Sequence, residues 1–144
     1  PVYAYNAPFI LTPAHPKTSH DDEVLVSYTD MAYSPDWGYW RGTMKGAIKG
    51  TVGFWEQPQN YVVGDREYFF EAFKITTHRG VIRGFDLGVY NLTTGDFWAY
   101  GQITQASRHW EDLAGRSVLE WGTTSTPFVF PMIGDDIPFV VVDV

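Results

Sequence analysis

Two carboxyl residues in this chain stand where alternation would shield them from water. Glu71 lies between Phe69 and Phe73 at every second position, and Asp86 lies within Gly84-x-Asp86-x-Gly88-x-Tyr90. Residues two apart share one face of a β-strand, so Glu71 is a carboxyl among phenyl rings. Desolvation favours the neutral acid and raises its pKa, which suits a general acid or base working near neutral pH. A buried Asp86 needs a donor, and a facing phenol, Tyr100, supplies one. In a functional reading, Asp86 or Tyr100 polarises a carbonyl or epoxide oxygen of a substrate. In a structural reading, the two groups only satisfy each other. Glu71 has its own plain alternative, a surface carboxylate on an outward face whose aromatics a neighbour covers. Tyr28 and Asp30 form a second hydroxyl–carboxyl pair on an earlier strand.

Other chemistries lack their residues. With no cysteine, the chain has no disulfide, thiolate nucleophile or thiolate metal site. His15, His20, His78 and His109 have no ligand spacing, so no metal is expected. No glycine-rich phosphate loop follows a strand and opens a helix, and no serine sits at a nucleophile elbow. The expectation is therefore chemistry without a cofactor. A net charge of −7 argues against nucleic acid or an anionic membrane as partner. No run of about 18 apolar residues is present, so no membrane span is expected. The first residues lack the charged-then-apolar pattern of a secretory leader, and Pro1 is compatible with removal of a Met or of a longer leader. A cytoplasmic location is favoured. The sequon Asn91-Leu92-Thr93 keeps secretion open.

The elements that must position these groups read as strands. Residues 80–90 and 96–104 alternate on either side of a glycine-containing turn at 91–95, the pattern of a hairpin. Eight strands are expected, at 23–33, 42–55, 67–77, 80–90, 96–104, 116–124, 127–132 and 137–142, with one helical turn near 109–113. Residues 1–22 carry four prolines and read as an extended arm, leaving 23–144 as a single domain. Such a meander closes naturally into an eight-stranded antiparallel up-and-down barrel, with an open sandwich as the alternative. If Tyr90 opposes Asp96, then Gly88 faces Trp98, Asp86 faces Tyr100 and Gly84 faces Gln102. This polar-and-aromatic face suits a ligand cavity. The opposite face carries Val81, Phe85 and Leu87 with Phe97, Ala99 and Ile103. By pattern alone, either face fits the interior. Alternating strand direction places the loops at 34–41, 78–79, 105–115 and 133–136 at one end. That end would form an aromatic, partly basic mouth of Trp37, Tyr39, Trp40, His78, Arg79, Arg108, His109 and Trp110, unless these rings simply pack the barrel end.

Two segments, Ile75-Thr76-Thr77-x-x-Gly80-Val81-Ile82-x-Gly84 and Trp110-Glu111-Asp112-Leu113-Ala114-Gly115-Arg116-Ser117, resemble the allene oxide cyclase-like barrels. That superfamily includes allene oxide cyclases, dirigent proteins and microbial barrel cyclases such as Diels–Alderases. The resemblance spans about residues 42–124, and His109-Trp110 departs from its usual glycine-plus-aromatic opening. It implies an interior made by Phe69, Glu71 and Phe73, by Gly84, Asp86, Gly88 and Tyr90, by Tyr100, and by Ser117, Leu119 and Trp121. It also implies a homo-oligomer, a dimer or trimer, as the outward apolar face does. The resulting expectation is a cofactor-independent cyclase, isomerase or lyase acting on a reactive, largely apolar small molecule. Asp86, Tyr100 and Glu71 would assist the chemistry, and Phe69, Phe73, Tyr90, Trp98, Gln102, Leu119, Trp121 and Tyr28 would hold the substrate. The rival expectations are a carrier of a small hydrophobic ligand and a dirigent-like secreted protein that guides coupling.

Overall fold

The computed structural model describes residues 23–142. The proposed arm at 1–22 lies outside them. The described chain is all-β apart from one 3-10 helix. Its strands are β1 (Leu25–Ser34), β2 (Tyr39–Gly46), β3 (Gly50–Glu56), β4 (Tyr61–Val63), β5 (Arg66–Thr77), β6 (Gly80–Asn91), β7 (Asp96–Ala106), β8 (Ser117–Thr123) and β9 (Met132–Val141). The helix, Arg108–Leu113, lies between β7 and β8. Apart from β3 and β4, each strand pairs antiparallel with its successor in the meander, β9 returns to β1, and β3 pairs with β5. These pairings close an eight-stranded up-and-down barrel, with β4 as a short flap on β5. Closure leaves few free backbone edges, which stabilises an isolated sheet against association through them.

The expected strand count is correct through two offsetting differences. The stretch 42–55 is two strands, because Gly46 (φ +107) turns the chain and Ile48 tucks into the barrel end, its N–H donating to Ser27 Oγ at 2.9 Å. Conversely, β9 runs continuously through 133–137 with a bulge between Gly134 and Ile137. Asp30 holds that bulge by accepting the N–H of Asp136 at 2.8 Å. The extra turn near 46–50 reverses the direction of the strands from β5 to β8 relative to expectation, and the continuous β9 restores it for 137–142. His78, Arg79, Arg108, His109 and Trp110 therefore sit at the end opposite Trp40, not beside it. There Trp110 and Leu113 are buried, and the Trp110 indole donates to Thr77 Oγ1 at 2.9 Å, so the 3-10 helix stoppers this end.

The interior is divided along the barrel axis. Between the stoppered end and mid-height, Ile48, Ile75, Ile82, Ile103, Val118 and Phe139 are fully buried and fill the bore. Phe73 packs edge-on against Phe139 (5.6 Å) and tilted against Phe54 (6.1 Å). A solid half of this kind supplies most of the hydrophobic stabilisation and keeps the wall above it rigid. Arg116 joins the ends of the described chain: its guanidinium donates to the Val142 carbonyl (3.0 Å) and to the Glu23 carbonyl. No helix among the described residues is long and apolar enough to cross a membrane, a statement that does not extend to strands.

Candidate functional site

The register of the β6–β7 hairpin decides which side chains reach the interior. The turn residues are 92–95, not 91–95: the Gly95 N–H donates to the Asn91 carbonyl at 2.9 Å, with Gly95 at φ +83. The Asn91 side chain accepts the N–H groups of Thr93 and Thr94 at 2.9 and 3.0 Å, fixing an Asx turn at the sequon. Tyr90 therefore pairs with Phe97, Gly88 with Ala99 and Asp86 with Gly101. A slip of one residue flips a whole strand. Trp98, Tyr100 and Gln102 consequently face outward, Tyr100 at 50% exposure and bonded only to Ser117 Oγ at 3.4 Å. On β8, Val118 and Glu120 point inward, while Leu119 and Trp121 are exposed. Tyr28 is exposed on β1, and Asp30 bonds the bulge and Lys45 outside the barrel. Gly84 and Gly88 face the Phe73 and Phe69 rings, not Gln102 and Trp98.

β5 and β6 keep their expected faces. Phe69, Glu71 and Phe73 point inward, as do Asp86 and Tyr90. Phe73 lies in the filled half, whereas Phe69, Glu71 and Tyr90 line a cavity of about 170 Å³ in the other half. The cavity opens between the loops at 35–38, 57–65, 92–95 and 124–131. Its wall includes Trp40, Phe54, Phe97, Phe128 and Phe130, and it carries the carboxyls of Glu56, Glu67, Glu71 and Glu120. No Lys, Arg or His is among the lining residues.

At its floor three carboxyls meet. Glu71 and Asp86 are directly opposed on β5 and β6. Glu120 belongs to β8, two strands from β6; on the intervening β7 it pairs with Ala99, while Asp86 pairs with Gly101. A Cβ at Gly101 would lie 2.1 Å from the Phe85 carbonyl oxygen and 2.7 Å from the Asp86 Cβ, so the close approach of β7 to β6 beside Asp86 requires glycine. Asp86 is fully buried, Glu120 is 4% exposed and Glu71 8%. Apart from the neighbouring carboxyls, no donor among the described residues reaches either oxygen of Asp86 or Glu120 Oε2, so only a carboxyl proton can satisfy them. Burial first, then the Asp86 charge and a hydrogen bond to Asp86, holds Glu71 and Glu120 well above the usual carboxylate range. Burial also raises Asp86, but its bonds to Glu120 and Glu71 pull it back. The consistent arrangement is one carboxylate, Asp86, accepting O–H bonds from two neutral acids, Glu71 and Glu120. Sharing protons in this way removes the like-charge repulsion that three buried carboxylates would suffer.

Two more acids stand nearer the mouth. Glu56 pairs with Glu71 across β3 and β5. It is open to the cavity mouth, but the surrounding wall strips part of its hydration. That burial, followed by the charge of Glu67, pushes it up to about 7. Glu67 is also raised by burial, against a weak bond from Asn60 Nδ2 at 3.5 Å. Tyr90 shares a hydrogen bond with Thr124 Oγ1 at 2.6 Å, and burial keeps its phenol protonated. Glu120 is the residue that sequence reasoning missed. Its position in Ser-Val-Leu-Glu-Trp gives no local sign of burial, and its partner is two strands away. Comparisons with protein-family models, curated proteins and solved structures find no match to this chain.

Proposed function

We propose that this chain is a cofactor-independent cyclase or isomerase that holds a small, largely apolar and reactive molecule in the open half of the barrel. The observation that carries the proposal is the cluster of Glu71, Asp86 and Glu120 at the floor of an aromatic cavity, with two of its members held as neutral acids. A neutral carboxyl facing a water-poor cavity can give its proton to a substrate carbonyl or epoxide oxygen as bond reorganisation builds charge there. Asp86 then accepts the hydrogen bond of the remaining acid and stabilises the cluster through the change. Return of the proton from product to the same carboxylate closes the cycle with no net gain or loss, as an isomerisation requires. The aromatic wall orients the substrate, a contribution of several kcal/mol when reacting atoms are held at contact. Tyr90 stands by as a phenol donor. An allene oxide cyclase-like kinship belongs to this same proposal, as does self-association through the exposed Leu87, Trp98, Tyr100, Leu119 and Trp121.

The test is incubation of substoichiometric protein with small-molecule extract from its source, followed by mass spectrometry. Conversion of one metabolite to a product of equal mass over many turnovers is expected, with loss of that activity in Glu120→Gln and Glu71→Gln. A metabolite retained unchanged at one per chain would make the barrel a carrier and overturn the catalytic reading.

A further inference from the structure

The most exposed large apolar side chain among the described residues stands at the mouth of the cavity. Phe128 is 63% exposed and Phe130 45%, yet both line the cavity, on whose wall Trp40 and Phe69 are each 8% exposed. The backbone holds Phe128 there against its own preference. Its φ of +65 lies in the left-handed region, which penalises a bulky residue. Its N–H donates to Met132 Sδ at 3.2 Å, a weak acceptor. The neck of the loop is fixed: the Ser125 N–H donates to the Ile133 carbonyl and the Ile133 N–H to Ser125 Oγ, each at 2.8 Å. From Phe130 a ladder of rings leads inward. Phe130 lies edge-on to Tyr33 at 6.1 Å, and Tyr33 tilts against the buried Trp40 at 5.6 Å. Tyr33 and Trp40 line the same cavity, so apolar surface continues from the open rim to the interior wall. The exposed rings and the left-handed backbone each disfavour the free folded state, and a ligand lying on the rings offsets their exposure.

We propose that Phe128 and Phe130 form an outer subsite for a ligand longer than the enclosed cavity. The inner part of the molecule occupies the cavity, and its apolar outer part lies on these two rings, along the line from Trp40 through Tyr33 to Phe130. The enclosed volume is about 170 Å³, close to the roughly 150 Å³ of an engineered cavity that holds one benzene. A substrate larger than about one ring therefore protrudes, and the rim is where its remainder meets apolar surface. This deepens the reading of the cavity as a substrate site and rests on it. Contacts at the rim lie away from the floor acids and stay the same as bonds reorganise, so they select for substrate length and leave the chemistry at the floor unaltered. The pinned neck puts the rim in place before the ligand arrives, which lowers the ordering cost of binding.

Isothermal titration of the full chain with acetophenone, butyrophenone, hexanophenone and octanophenone tests the proposal. These ketones share one ring, which the enclosed space accommodates, and differ in the length of the alkyl tail. Affinity is expected to rise about two- to fourfold per added methylene, the upper figure being full burial. Phe128→Gly and Phe130→Ser should each reduce that gain, and the double variant should bring it close to onefold, with acetophenone within about twofold of wild type. Phe128→Gly also separates lost contact from lost fold. Glycine adopts a φ of +65 freely, so its urea midpoint should equal or exceed that of wild type while the gain per methylene falls. No gain with length in wild type, or an undiminished gain in the double variant, overturns the proposal. In either case acetophenone binding would still uphold the inner cavity as a site, whereas no binding of any ketone at millimolar concentration overturns both. Length-dependent binding that the double variant loses, without turnover of any metabolite, would retain the outer subsite and sink the catalytic reading.

Discussion

Replacing Glu120 by Gln should change how the protein's stability depends on pH, and the size of the change follows from the burial of the cluster. In the unfolded chain, Glu71 and Glu120 ionise near 4.5. In the folded protein both are held well above that value, because burial and the neighbouring Asp86 disfavour a second and third charge. Between the two limits the native state binds one more proton per group than the unfolded state, so stability falls as pH rises. Each group's contribution is fully present below 4.5 and is lost progressively up to its folded value. The slope is about 1.4 kcal/mol per pH unit for each group. Glu56, Glu67 and Asp86 are also raised and add to the wild-type slope, so the difference between proteins is the quantity to read. Urea unfolding followed by tryptophan fluorescence from about pH 5 to about pH 7 gives that difference. Glu120→Gln should flatten the slope by about 1.4 kcal/mol per pH unit, and the double variant with Glu71→Gln by about 2.7. The urea m-value should stay the same. Superimposable slopes in wild type and both variants would refute the proton-sharing cluster, whatever the activity.

Three further outcomes are expected. Gly101→Ala should cost about 1–3 kcal/mol in urea unfolding, since its Cβ would collide with the Phe85 carbonyl and with Asp86; stability within about 0.5 kcal/mol of wild type would contradict the close approach. Tyr90→Phe should lose about 1 kcal/mol with its bond to Thr124, whereas Tyr100→Phe, on the outer surface, should leave both stability and turnover unchanged. If the outer aromatic face joins two copies, Trp98→Ser with Trp121→Ser should shift the protein to monomer in analytical ultracentrifugation; a wild-type protein already monomeric at high concentration would dispose of that interface.

Much of the wall was legible from residue order because alternation within one strand is a local property. Phe69-x-Glu71-x-Phe73 and Asp86-x-Gly88-x-Tyr90 each put their odd or even set on one face, and the structure keeps both sets inside. Aromatic and glycine-laced alternation across the chain likewise marked an all-β barrel, since no stretch had the period a long helix needs to bury a face. Loop length resisted reading. Turns of four and five residues are both common, and only the Gly95 to Asn91 hydrogen bond and the Asx turn select four. That single residue moved Tyr100, Trp98 and Gln102 to the outside.

What the order of residues determined by itself is the class of fold and the facing of each strand taken alone. The tertiary structure decided which strand faces lie together, because register and strand direction accumulate from turn to turn and a barrel must close on all of them at once. Glu120 shows the consequence. It reaches Asp86 from two strands away, with only the small residues Ala99 and Gly101 of β7 at their pairing positions. Contacts across an intervening strand depend on the curvature of the closed sheet, and no local pattern encodes that curvature.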